Sequence, residues 1–222
     1  MKFPPSLPIA LACLLTIPAL SSCRGTRNLL DPVVQIETSG GRELGVTTDY
    51  GIVFLGRTAQ AGEIEVTAWF GDGPSIEDST IEPISGDIYT AETEIRLPAV
   101  PLLFTAPAPG EYVAILGRNE FGSWRVVTQL QSDPRVLGLL LEMPEQLRGH
   151  DDQTGAGVFR YIDEDPERLQ LLGLVSGRLT LQTADGEREY ATVTGPEDLW
   201  RLVTHRRHFP RKRPVVYRED IL

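Results

Sequence analysis

The sequence predicts an all-β protein, a barrel or sandwich of about a dozen short strands with one C-terminal helix. Three observations predict it. Apolar runs with period-two alternation recur from Val33 to Val193, Ile64-Glu65-Val66-Thr67-Ala68-Trp69-Phe70 being the clearest. Turn residues (Gly, Asp, Ser, Pro) separate these runs at regular spacing. A helix-start pattern followed by an apolar stripe comes only near the C-terminus, at Thr194-Gly195-Pro196-Glu197.

The first residues stand outside this pattern. Met1-Lys2 is a short basic start, and Leu7 to Leu20 is an apolar run interrupted by Pro8 and Pro18. It is too short for a comfortable bilayer span, and prolines oppose a stable membrane helix. The run ends Leu20-Ser21-Ser22-Cys23, which resembles the lipobox of bacterial lipoproteins. That resemblance implies a lipoprotein signal peptide over 1–22, cleavage before Cys23, and lipidation of the Cys23 sulfur. Residues 23–31 are then a tether, and the protein is anchored to a membrane rather than threaded through it. Arg24 after the cysteine implies the outer membrane, facing the periplasm.

Cysteine and charge narrow the classes further. The two cysteines are Cys13 and Cys23, so the 199 residues after Cys23 have no disulfide, thiolate nucleophile or cysteine metal ligand. From Arg201 onward seven basic residues face two acidic ones. The whole chain carries −10, so this surplus of +5 leaves −15 on residues 1–200. An acidic body does not suit nucleic acid. The basic end suits either solvent or anionic lipid headgroups.

The strands follow in order. Val33–Glu37, Leu44–Thr48 and Gly51–Gly56 come first, then Ile64–Phe70, which Gly71-Asp72-Gly73-Pro74 breaks. Weaker strands are expected around Ser79–Ile84 and Ile88–Thr90, and another over Glu92–Leu97. A proline-rich crossing at 98–109 divides the chain into two halves without a residue-level repeat. The second half offers Tyr112–Gly117, Ser123–Leu130, Val136–Met143, a glycine corner at 153–159, an apolar strand from Leu171 closing on Ser176-Gly177, then Arg178–Thr183, and Glu189–Val193 after an Asp185-Gly186 hairpin turn. Leu199-Trp200 and Leu202-Val203 set one apolar face on the terminal helix, which Pro210 stops.

Three stretches carry a resemblance. Pro109-Gly110-Glu111-Tyr112-Val113-Ala114-Ile115-Leu116-Gly117 resembles the entry into the C-terminal barrel of trypsin-like (chymotrypsin-fold) serine peptidases. Gln153-Thr154-Gly155-Ala156-Gly157-Val158-Phe159 resembles that family's nucleophile turn, and Leu172-Gly173-Leu174-Val175-Ser176-Gly177 the strand that follows it. The resemblance covers residues 107–205; over 33–104 it extends only to strand count and order. It implies two six-stranded antiparallel β-barrels, residues 32–104 and 105–205, the second carrying a C-terminal helix from 195. Residues 206–222 are then a basic tail. It puts Thr154 at the nucleophile position, and Asp152, Gln153, Gly155 and Ser176 along the cleft.

The chemistry of that family takes a nucleophile, a histidine base and an orienting carboxylate. Here Thr154 replaces serine, and its methyl crowds attack in such a turn. Asp152 stands where a glycine N–H serves the oxyanion hole, and a carboxylate there repels a developing oxyanion. The chain's histidines are His150, His205 and His208, none of them in the first half, where the family carries its base, near Gly56–Thr58. Glu92 and Glu94, candidate orienting carboxylates, then have nothing to orient. The resemblance thus implies a catalytically silent relative acting as a binding or scaffold module for a protein or peptide.

Two alternatives remain at this level. One is an active peptidase with Thr154 as nucleophile and His150 as base. The other is a pair of immunoglobulin-type β-sandwiches used for interaction. No metal or other cofactor is expected. His150-Asp151-Asp152 is too contiguous to converge on one ion, the arginines around His205 and His208 repel a cation, and the loop Asp163-Glu164-Asp165 with Glu167 lacks calcium-loop spacing.

Overall fold

The computed structural model describes residues 32–57, 63–70, 73–95, 97–148, 153–160 and 168–208. Cys23, His150, Asp151, Asp152, the acidic loop at 163–167 and the tail from 209 lie outside the described residues. Strands β1 (Val33–Thr38), β2 (Gly41–Thr48), β3 (Gly51–Phe54), β4 (Glu63–Phe70), β5 (Gly73–Ser85) and β6 (Ile88–Ala91) form the first half. The second half holds β7 (Tyr112–Asn119), β8 (Gly122–Gln131), β9 (Leu139–Glu142), β10 (Gly157–Arg160), β11 (Leu171–Thr183) and β12 (Gly186–Thr194), then helix α1 (Glu197–His208).

Each half closes into an antiparallel barrel, and the orders β1-β2-β3-β6-β5-β4 and β7-β8-β9-β12-β11-β10 are the same order repeated. Closure overturns the tandem-sandwich alternative, because a sandwich keeps two open sheets. The crossing segment touches both barrels. The Val100 N–H donates to the Thr47 carbonyl (3.1 Å), and the Leu103 N–H donates to the Leu171 carbonyl (2.7 Å).

Alternation sorts the core into two layers. Val34, Ile36, Ile52, Phe54, Ile64 and Val66 point into the first barrel. Their neighbours Val33, Leu44, Val46, Val53 and Leu55 point the other way, into a core shared with Val158, Phe159, Leu172 and Leu174 of the second barrel. This double burial explains why Gly51–Leu55 and Leu171–Val175 read as unbroken apolar runs. A strand covered on both faces needs no polar phase.

Hairpin corners repeat one device, a Thr or Asn whose side chain bonds the turn and a Gly three residues on. Thr48 Oγ1 donates to the Gly51 carbonyl (2.7 Å) and accepts the Tyr50 N–H (3.1 Å). Thr183 repeats the donation to Gly186 (2.7 Å), and Asn119 Oδ1 accepts the Phe121 N–H (3.0 Å). The Asp185-Gly186 hairpin therefore exists, with Ala184-Asp185 as its loop and Gly186 already paired to Thr183.

Four elements differ from the sequence expectation. Glu92–Leu97 is not a strand. The Glu77 carboxylate takes the Thr93 hydroxyl (2.7 Å) and the Ile95 N–H (3.0 Å), and both its oxygens lie within reach of the Glu94 N–H, so the chain bends instead of pairing. β5 is a single strand of 13 residues, not a break followed by weak pieces. Its signal was weak because Glu77 sits opposite Val66, on the core-facing side, and serves that bend. β9 is shorter than Val136–Met143, because the Val136 N–H closes a turn on the Asp133 carbonyl (3.0 Å). Thr194 is the last residue of β12, paired with Leu174, and so does not cap the helix.

Helix α1 extends through His208, two residues before Pro210, and takes in Arg206, which the division at 205 assigns to the tail. Its side chain is 5% exposed and reaches the first barrel. Nε donates to the Tyr50 carbonyl (2.8 Å), Nη1 pairs with Glu82 (2.9 Å) and lies 3.7 Å from Glu92, and Nη2 donates to Thr90 Oγ1 (3.4 Å). His205 Nε2 lies 3.4 Å from the same Glu82. One buried cation thus ties α1 to the first barrel. Arg206→Ala should cost about 2–3 kcal/mol, because it leaves buried acceptors unmatched. Glu82→Gln should cost about 1 kcal/mol or less, since Glu82 is 43% exposed and stays hydrated. Thermal melts of the two variants check the order, with a drop of about 5–10 °C for the first.

Candidate functional site

The site is built on the corner between the short helical turn Glu145–Leu147 and β10. The Ala156 N–H donates to the Gln153 carbonyl (2.9 Å), so Gln153-Thr154-Gly155-Ala156 is a β-turn. Gly155 has φ +83°, the value type II turns require at that position. The turn is held from three sides. The Gly155 N–H donates to the Val175 carbonyl and the Val175 N–H to the Ala156 carbonyl, both at 2.9 Å. The Leu44 N–H of the first barrel donates to the Thr154 carbonyl (3.0 Å). The Gln153 amide, buried at 4% exposure, donates to the Leu147 carbonyl, which Arg178 Nη2 also approaches at 3.4 Å.

These bonds place the residues that the sequence singled out. Thr154 stands half-buried at the corner. Among the described residues its hydroxyl has no hydrogen-bond partner. Gln153 and Gly155, expected along a cleft, are buried, and both help to fix the turn. Ser176 is the residue at which the β11–β12 register shifts, and its hydroxyl meets Thr192 Oγ1 at 3.1 Å. A bulge of this kind re-aims the strand beside the turn.

The first barrel supplies the opposite wall. Gly45 pairs with Phe54, so the chain leaving β3 as Leu55-Gly56-Arg57 arrives at the Leu44 end of β2. The Tyr89 ring packs on Gly56, where a β-carbon would fall 2.0 Å from the ring. Arg57 is exposed there. Of the candidate carboxylates, Glu92 faces Arg206, while Glu94 sits in the bend that Glu77 holds through the Glu94 N–H. His205 belongs to the Glu82–Arg206 cluster, beside the Thr48–Gly51 hairpin. That hairpin and Leu44 are four residues apart on β2, about 13 Å along the strand. The structure therefore does not bring His205 to Thr154.

Sequence reading missed Leu44, Leu147 and Arg178. Two of the three act through backbone groups, which leave no signature in side-chain type. Glu43, beside Leu44 and only 4% exposed, is a buried carboxylate that alternation alone does not distinguish from a surface one. Among the described residues no group of three His, Cys, Asp or Glu side chains converges as metal ligands would. No described helix is long and apolar enough to cross a membrane.

Two closed six-stranded barrels in one repeated order, joined by a turn of the second seated on the first, define the trypsin-like double-barrel fold. Among solved structures the chain is similar to the MamO protease domain of Magnetospirillum magneticum, at 18% identity, TM-score 0.54, 81% of this chain and 97% of that one. It is also similar to a human astrovirus serine protease, at 15% identity, TM-score 0.51, 75% of this chain and 91% of that one. Kallikrein-related peptidase 10 matches at 13% identity and TM-score 0.54, over 81% of this chain and 96% of that one. No protein-family model and no curated protein matches the sequence. At these identities the likeness is one of fold.

A β-carbon at position 155 would lie 1.9 Å from the Leu44 carbonyl oxygen. Gly155→Ala should therefore destabilise the protein by about 2–5 kcal/mol, adding a positive-φ strain to a backbone clash. Urea titration measures the loss. Hydrogen exchange at the Leu44 N–H should accelerate in step, since the joint to Thr154 opens.

Proposed function

We propose that the chain is a lipid-anchored cell-envelope protein whose trypsin-like fold has lost peptidase chemistry and serves as a binding or scaffold module for a protein or peptide. The observation that carries this reading is the distribution of histidine. A threonine hydroxyl is a weak nucleophile until a base removes its proton. The first barrel, which supplies that base in the family the sequence resembles, contains no histidine at all. Gly56 and Arg57 occupy the exit from β3, and Arg57 is permanently protonated and cannot accept a proton. Glu92, a carboxylate that would orient a base, faces Arg206 at 3.7 Å.

One observation favours the opposite reading, an active peptidase. The Thr154 hydroxyl is held on a rigid corner with no described hydrogen bond, and His150 is four residues away in sequence. A fluorophosphonate probe separates the two. The silent-fold reading expects no covalent adduct by intact mass and no casein cleavage; an adduct that disappears in Thr154→Ala would establish the peptidase.

The anchor rests on Leu20-Ser21-Ser22-Cys23. Cells fed an alkyne-tagged palmitate should yield a labelled protein that partitions with membranes. Cys23→Ser should release it in soluble, unlabelled form, and labelling that survives the substitution would rule out this cysteine.

A further inference from the structure

Most exposed large apolar residues, such as Phe121 and Leu137, are surface positions of the kind any protein carries. Phe104 and Trp200 differ. They are 40% and 46% exposed, yet their rings meet edge to face with centroids 5.1 Å apart. The Arg207 guanidinium lies 5.5 Å from the Trp200 ring. Phe104 comes from the crossing segment and Trp200 from α1, so two distant parts of the chain hold two large rings together at the surface. On α1 the inward residues are Leu199, Leu202, Val203 and Arg206, while Trp200, Thr204 and Arg207 form the outward stripe.

The start of the described chain is linked to this pair through β2 and the crossing segment. The Pro32 carbonyl accepts the Thr47 N–H (2.9 Å), and the Thr47 carbonyl accepts the Val100 N–H (3.1 Å). Phe104 is four residues beyond Val100 on the same segment, at most about 14 Å away. A tether over 24–31 reaches at most about 28 Å. A lipid on Cys23 would therefore hold this end of the molecule against the bilayer. In sequence, Arg207 is followed by Arg211, Lys212 and Arg213.

We propose that the Phe104–Trp200–Arg207 face seats on an anionic lipid surface, as a second membrane contact beside the Cys23 lipid. Aromatic rings with flanking arginine suit the headgroup layer: the ring buries apolar area while the guanidinium meets phosphate. The inference rests on Cys23 lipidation for its orientation, but its test does not use the lipid.

The experiment takes the chain from residue 23 onward, with Cys23→Ser, which contains every described residue. It is sedimented with vesicles of phosphatidylethanolamine and phosphatidylglycerol, and with phosphatidylcholine vesicles as the neutral control. Binding to the anionic vesicles should fall about tenfold in a Phe104→Ser/Trp200→Ser variant that still melts cooperatively. Arg207→Glu should weaken it, and salt should weaken it further. Brominated phosphatidylglycerol should quench tryptophan emission, and Trp200→Phe should remove that quenching although Trp69 and Trp124 remain. Equal binding to neutral vesicles, or no loss in the double variant, would overturn the proposal. So would self-association in buffer abolished by the same double substitution, since the face would then be an interface between copies. Palmitate labelling reports the anchor separately, so either conclusion can fail alone.

Discussion

The architecture depends on one close approach. The second barrel's corner meets the first barrel at the Leu44 carbonyl, and the contact exists because residue 155 has no side chain. From that point the rest follows. The Leu44 N–H can reach the Thr154 carbonyl, β2 and β10 come side by side, and Leu44 and Val46 enter a core shared with Val158 and Phe159. A larger residue at 155 would wedge the barrels apart at the place where their shared apolar layer begins. The position of the Thr154 hydroxyl is a by-product of the same constraint, since a turn fixed from three sides fixes its corner residue.

A second tie works from the far end of β2. Arg206 takes a backbone carbonyl, a threonine hydroxyl and two carboxylates of the first barrel while sitting on a helix that leaves the second. A buried guanidinium is tolerated only when its donors are matched, and here the acceptors come from the Tyr50 turn, β5, β6 and the segment just after it. The helix is thereby not an appendage. It staples the second barrel to the first, and it holds Glu92 within 3.7 Å of the buried guanidinium.

The corner at 153–156 is first of all a backbone feature. Its geometry is held by glycine, by main-chain bonds and by Gln153, and none of these depends on which base stands near Thr154. Base catalysis, by contrast, depends on one proton acceptor at one distance. The proposal of a silent fold rests on that separation: backbone geometry of this kind needs no catalytic side chain to persist.

Much of the fold was legible in the chain. Alternation located most strands, the proline-rich crossing marked the divide, and the glycine corner at 153–157 with Leu172–Gly177 marked the second barrel. The failures have particular causes. β5 was read as fragments because its core-facing Glu77 is polar, recruited to bind the 93–95 bend. Glu92–Leu97 alternated like a strand but lost its N–H groups to that same carboxylate. Arg206 looked like a tail charge because nothing local to it names Tyr50, Thr90 or Glu82, all more than a hundred residues earlier. By itself, then, the sequence determined the β class, the two halves, the missing histidine and the turn that needs glycine, all of which are properties of residue type and near spacing. Only the tertiary structure decided that the two sheets close, that Leu44 receives the turn, and that a helix arginine is buried in the other barrel. Those outcomes depend on which backbone groups and distant side chains meet, and residue type does not encode that meeting.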